Sequence, residues 1–149
     1  MKTLIIISLA LATILSGCQK VYTDTYVVTN NTSKQLKIRG YNVKYEGGLY
    51  TEMIDIQPNS KFSVGKGKGE EYQAPGIFSS GGIDSVCIIF DNARIIRYRC
   101  NIAQGQDLCD DKRNILNYYK YYEQVKGEHE STFTYTITEE DYELADTIK

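Results

Sequence analysis

Four cysteines, one histidine and thirteen tyrosines are the side chains of this 149-residue chain with the most distinctive chemistry. Cys18 closes an apolar N-terminal run. Cys87, Cys100 and Cys109 are then an odd set, so at least one thiol is free or pairs elsewhere. Cys100 and Cys109 bracket the polar loop NIAQGQDL and are the preferred disulfide; Cys87 is expected to be a small buried hydrophobe. His129 lies in the charged turn GEHE, with no C-x-x-C motif to make a metal site with it. A nucleophile needs an adjacent base, and no nucleophile motif surrounds any Ser or Cys here. No catalytic residue, metal ligand or cofactor is therefore assigned, and the chain is read as a non-enzyme. The carboxylates Asp110-Asp111 and Glu139-Glu140-Asp141 read as a turn and a helix start. The remaining chemistry lies in Tyr118, Tyr119, Tyr121 and Tyr122. On a strand, adjacent tyrosines point to opposite faces, so some would be exposed, presenting an apolar ring and a polar tip to a glycan or protein partner.

The elements that position these groups follow from alternation and turn residues. Thr25 to Thr29 reads as a strand, Asn30 to Ser33 as a hairpin turn, and Gln35 to Tyr41 as a strand with Leu36 and Ile38 inward. Leu49 to Ile56 is a strand buried in part on both faces through Met53, Ile54 and Ile56. Gln57 to Ser60 turns it, and Lys61 to Val64 returns. Gly65 to Gly82 contains six glycines and reads as a long irregular loop carrying the apolar pair Ile77-Phe78, a candidate contact surface. Asp84 to Phe90 and Arg94 to Arg99 form a hairpin about Asp91-Asn92-Ala93. If Phe90 pairs with Ile95, Cys87 shares a face with Tyr98. Asp110 to Glu123 is expected to be an irregular crossover leading to a strand over Tyr121 to Val125. Thr132 to Thr138 is a strand with Phe133, Tyr135 and Ile137 inward. Thr138 is then the N-cap of a short helix through Ala145, followed by a frayed tail.

The first residues, MKTLIIISLALATILSGCQK, combine Lys2, an apolar run from Leu4 to Leu15 and a small-residue tetrad. The run is too short to span a bilayer, which takes about 20 residues, and fits a secretory signal. Leu15-Ser16-Gly17-Cys18 resembles the lipobox of bacterial lipoproteins, in which the thiol is alkylated with diacylglycerol and cleavage precedes the cysteine. That divides the chain into a signal peptide over 1–17, a lipidated tether over 18–24 and one domain over 25–149. Two or more acyl chains give stable anchoring.

Together, the lipobox, VVTNNTSKQLKI, SVCIIFDNARIIRY and YTITEEDYELA resemble small cell-envelope lipoproteins of Bacteroidales-type bacteria. The resemblance implies an all-β sandwich in the cell envelope, held at the outer membrane, and carries over no catalytic residues. With the strand reading, the expected fold is an antiparallel β-sandwich, immunoglobulin-like or transthyretin-like, with a short C-terminal helix. Gln19-Lys20-Val21 follows the cysteine where many surface-exported relatives carry acidic residues, so the periplasmic and surface faces stay open. A formal net charge of −2 argues against nucleic acid as partner. The expected function is a binding or assembly module for a glycan or envelope protein. A periplasmic inhibitor of lysozyme-like or proteolytic enzymes is the alternative, and a hydrolase ranks last.

Overall fold

Alternating apolar residues define two inner faces, and the chain folds so that these faces meet. The computed structural model describes residues 22–42, 49–68, 76–78, 83–100, 109 and 113–149. In chain order the elements are β1 (Tyr22–Asn31), β2 (Leu36–Asn42), β3 (Leu49–Ile56), β4 (Ser60–Lys68), β5 (Ser85–Phe90), β6 (Arg94–Arg99), the one-turn α1 (Tyr118–Tyr121), β7 (Glu123–Lys126), β8 (Glu130–Thr138), α2 (Glu139–Leu144) and β9 (Asp146–Thr147). The strands form a four-stranded sheet of order β4-β1-β8-β7 and a five-stranded sheet of order β3-β2-β5-β6-β9. The expected all-β sandwich with a short C-terminal helix is therefore what the chain forms.

The order departs from expectation in two ways. β1 and β8 run parallel, with Tyr26 beside Phe133 and Val28 beside Tyr135, so the sandwich is not antiparallel throughout. β1 and β2 lie in different sheets, so residues 32–35 cross between sheets instead of closing a hairpin. An immunoglobulin-like order keeps its first two strands in one sheet, and here they lie in different sheets. β1 also begins at Tyr22, so residues 22–24, expected in the tether, are paired to both β4 and β8 or to β4 alone.

The core lies between Tyr26, Val28, Phe133, Tyr135 and Ile137 of one sheet and Leu36, Ile38, Ile54, Ile56, Val86, Ile88, Phe90 and Tyr98 of the other. Met53, expected to be partly buried, points outward and is exposed. β5 is interior to its sheet, as its run of apolar residues required. Its register with β6 is Phe90 to Arg94 and Ile88 to Ile96, which puts Tyr98 opposite Val86 and Cys87 opposite Arg97. This is one residue from the expected pairing. Asp91 and Asn92 adopt left-handed backbone conformations, φ 48° and 57°, and the Ala93 N–H donates to the Phe90 carbonyl at 2.8 Å. The chain thus reverses within three residues, and Arg94 instead of Ile95 faces Phe90.

Asn30, fully buried, joins the two cross-sheet connections. Its Nδ2 donates to the carbonyls of Lys34 (2.7 Å), Gln57 (2.9 Å) and Ile56 (3.3 Å). Its Oδ1 accepts from the Thr32 N–H (3.1 Å) and the Thr32 hydroxyl (2.7 Å). One side chain satisfies backbone groups that crossing between sheets would otherwise orphan. At the far end of the chain, Thr138 and Asp141 form a capping box. Asp141 also takes a two-pronged pair from Arg113, each contact 3.0 Å. The expected frayed tail instead adds β9 to the sheet edge, Arg94 pairing with Thr147 and Ile95 with Asp146.

Candidate functional site

The tyrosine run does not form a strand with alternating exposed rings; Tyr118 and Tyr122 turn towards the core. α1 turns helically, so Tyr118 and Tyr122, four residues apart, fall on one side. Their rings meet at 5.3 Å, Tyr26 lies 5.7 Å from Tyr118, and Tyr135 lies 5.2 Å from Tyr122. Tyr26 stacks on Phe133 at 5.1 Å. Tyr122 is buried, and its hydroxyl donates to the Ile115 carbonyl at 3.0 Å. Burial pushes the phenols of Tyr118, Tyr122 and Tyr135 above the ordinary tyrosine range. Tyr121 is half-buried with Lys120 over its ring. The side chain of Tyr119 lies outside the described residues.

Ile77 and Phe78 are likewise core, 1% and 3% exposed. β4 continues through Gly65-Lys66-Gly67-Lys68, so the strand claims four residues expected in the loop. Residues 69–75 and 79–82 lie outside the described residues. Gly76 has φ 102° and abuts Tyr118 so closely that a Cβ there would sit 2.2 Å from the ring. Phe78 lies on Gly40, where a Cβ would come within 2.9 Å of it. The Phe78 carbonyl accepts from Lys66 Nζ, whose ammonium also faces the Tyr26 ring at 5.9 Å. Burial lowers the Lys66 pKa, opposed by the charge of Glu52. Residues 76–78 thus close one end of the sandwich, because two glycines leave room for two rings.

The disulfide joins Cys100 to Cys109 as expected. Asn114, fully buried and not anticipated from sequence, secures the chain beyond it: Nδ2 donates to the Arg99 carbonyl (3.2 Å), and Oδ1 accepts from the Leu116 N–H (2.9 Å). Asp141 is structural, and Glu139 accepts from the Ser33 N–H at 2.7 Å. His129 packs against Tyr22 at 5.6 Å. Among the described residues no group of three His, Cys, Asp or Glu side chains is placed to hold a metal ion. Cys18 and Asp110-Asp111 lie outside the described residues.

What faces outward differs between the sheets. On the four-stranded sheet, strand alternation puts Thr23, Thr25, Thr29, Thr132, Thr134 and Thr136 on the outer face, a hydroxyl-rich surface with Lys61, Glu123 and Glu130 along its margins. The five-stranded sheet turns three rows of side chains outward. Lys37, Ile89 and Ile95 share one row, Arg39, Cys87 and Arg97 the next, and Tyr41, Ser85 and Arg99 the third. Adjacent strands lie about 4.8 Å apart. The small Ser85 and Cys87 on β5 therefore floor a trough walled by Arg39 and Tyr41 on β2 and by Arg97 and Arg99 on β6. Arg97 and Arg99 are exposed and Arg39 is half-buried. Cys87 is free and half-buried rather than the buried hydrophobe expected. Burial raises its pKa, and the nearby Arg97 and Arg39 partly offset this. Sequence carried a signal for this face in the alternations Lys37-x-Arg39-x-Tyr41 and Arg97-x-Arg99. Only the strand order brings the two together. Comparison with protein-family models, curated proteins and solved structures finds no match for this chain.

Proposed function

We propose that this protein is a lipid-anchored, non-enzymatic binding or assembly module of the cell envelope, with a glycan or an envelope protein as partner. The observation that carries the reading is Leu15-Ser16-Gly17-Cys18 after a short apolar run. A thiol preceded by small residues suits lipid transfer and cleavage, and several acyl chains anchor firmly. A binding role is supported by the buried polar side chains Asn30, Asn114 and Asp141 being engaged in structure while the outward face of the five-stranded sheet presents arginines.

The test is at Cys18. The wild-type protein is expected to enter the detergent phase and to incorporate labelled fatty acid. Cys18→Ala is expected to do neither. Retention of label by Cys18→Ala would sink the anchor. Protease treatment of intact against lysed cells then distinguishes the surface from the periplasmic face of the envelope.

A further inference from the structure

We propose that the outer face of the five-stranded sheet binds an anionic polysaccharide, gripping its carboxylate or phosphate groups with Arg39, Arg97 and Arg99. This deepens the envelope-module reading and rests on it for the compartment in which such a polymer is met.

The rows Arg39–Cys87–Arg97 and Tyr41–Ser85–Arg99 set three guanidiniums around one shallow trough. Arg39 and Arg97 stand two strands apart, about 10 Å between backbones, and their long side chains can converge over the small residue between them. Among the described residues none of the three arginines forms an ion pair, whereas Arg113 pairs with Asp141. Arg39 Nε is shielded from solvent with no hydrogen-bond partner, so the fold holds that guanidinium without using this donor. Three unpaired arginines on one face of a chain whose net charge is negative are complementary to an anion. The guanidinium fork suits carboxylate and phosphate alike.

The rest of the face selects the kind of polymer. Protein interfaces also use Tyr and Arg, but set them in desolvated, well-packed pockets, and membrane-binding faces insert apolar side chains beside their cations. Here Ile89 and Ile95 are already buried, and Met53, at the edge, is exposed. Lys37, Asp55 and Asp146 hold the charged row at one end of the face, and the trough itself is planar and polar: guanidinium planes and the Tyr41 ring, against which sugar rings lie flat, with small hydroxyl and thiol groups beneath.

Cys87 supplies an internal reporter on the trough floor. The purified full-length protein would be alkylated with iodoacetamide in the presence of oligogalacturonate, phosphorylated dextran, unmodified dextran or poly-glutamate, and peptide mapping would read Cys87 separately from Cys18. One or both anionic sugars are expected to slow alkylation of Cys87 roughly tenfold, an effect lost towards 1 M salt, where screening shortens to about 3 Å. The two anionic arms tell carboxylate from phosphate preference. Arg97→Gln/Arg99→Gln alters exposed side chains and is expected to weaken protection roughly tenfold with unchanged thermal unfolding. Absence of protection by both anionic sugars, equal protection by unmodified dextran or poly-glutamate, or full protection in the double variant would overturn the proposal. Because Cys18 is mapped in the same digest, loss of the anchor and loss of the sugar face are seen independently.

Discussion

Asn30 shows how much of the sandwich rests on one side chain. It spends both donors and its acceptor on the connections between sheets. Asn30→Ala leaves the Thr32 N–H and the carbonyls around it without that partner in a buried place, where each unsatisfied group costs about 1–3 kcal/mol. The expected loss of stability is about 2–4 kcal/mol by urea unfolding, with the slope unchanged. Asn30→Asp keeps an acceptor for Thr32 but turns a charged oxygen towards carbonyls, and is expected to cost at least as much. A change below about 0.5 kcal/mol, typical of surface positions, would mean that the connections hold themselves. Asparagine in VVTNNTSK was legible as a turn residue. That it reaches the other connection was not, because Ile56 and Gln57 come to it only through strand order.

At the scale of elements, the disulfide and the closure over residues 76–78 do different work. Cys100–Cys109 spans a sequence separation of 9, and a loop of that size restricts the unfolded chain by about 2–3 kcal/mol. Cys100→Ser/Cys109→Ser is expected to lower stability by that amount in non-reducing buffer, with little change in the wild type once it too is reduced. The spacing of the two cysteines made the pair readable in the sequence. The glycine-rich stretch misled for a physical reason: glycine marks both free loops and places where another group packs against backbone. Gly40 and Gly76 belong to the second kind, seating Phe78 and Tyr118. The tyrosine run misled through its period. Read as a strand, it exposes half its rings; as one helical turn, it sends Tyr118 and Tyr122 inward together.

The whole molecule carries its phenols as a shared alkaline liability. Tyr118, Tyr122 and Tyr135 are held above the ordinary value of 10.0, chiefly by burial. A raised folded-state pKa favours the protonated form in the fold. That contribution is fully present below about pH 10, where unfolded tyrosine titrates, and is lost as pH rises towards the folded-state values. Stability is therefore expected to fall steeply above about pH 10, with phenolate absorbance of these three rings appearing in the same cooperative step as loss of β-sheet circular dichroism. Titration of all tyrosines without loss of structure would contradict their placement in the core.

The sequence by itself determined the all-β class, the positions and inward faces of most strands, the N-cap at Thr138 and the Cys100–Cys109 pair. Each depends on neighbours along the chain: alternation with period two, turn residues, a capping side chain, a short loop. Tertiary structure alone decided the parallel β1–β8 pair, the crossing of β1 to β2 between sheets, the burial of Ile77, Phe78, Tyr118 and Tyr122, and the gathering of Arg39, Arg97 and Arg99 on one face. Those depend on which strands lie side by side, and strands far apart in sequence become neighbours only when both sheets close over a common core.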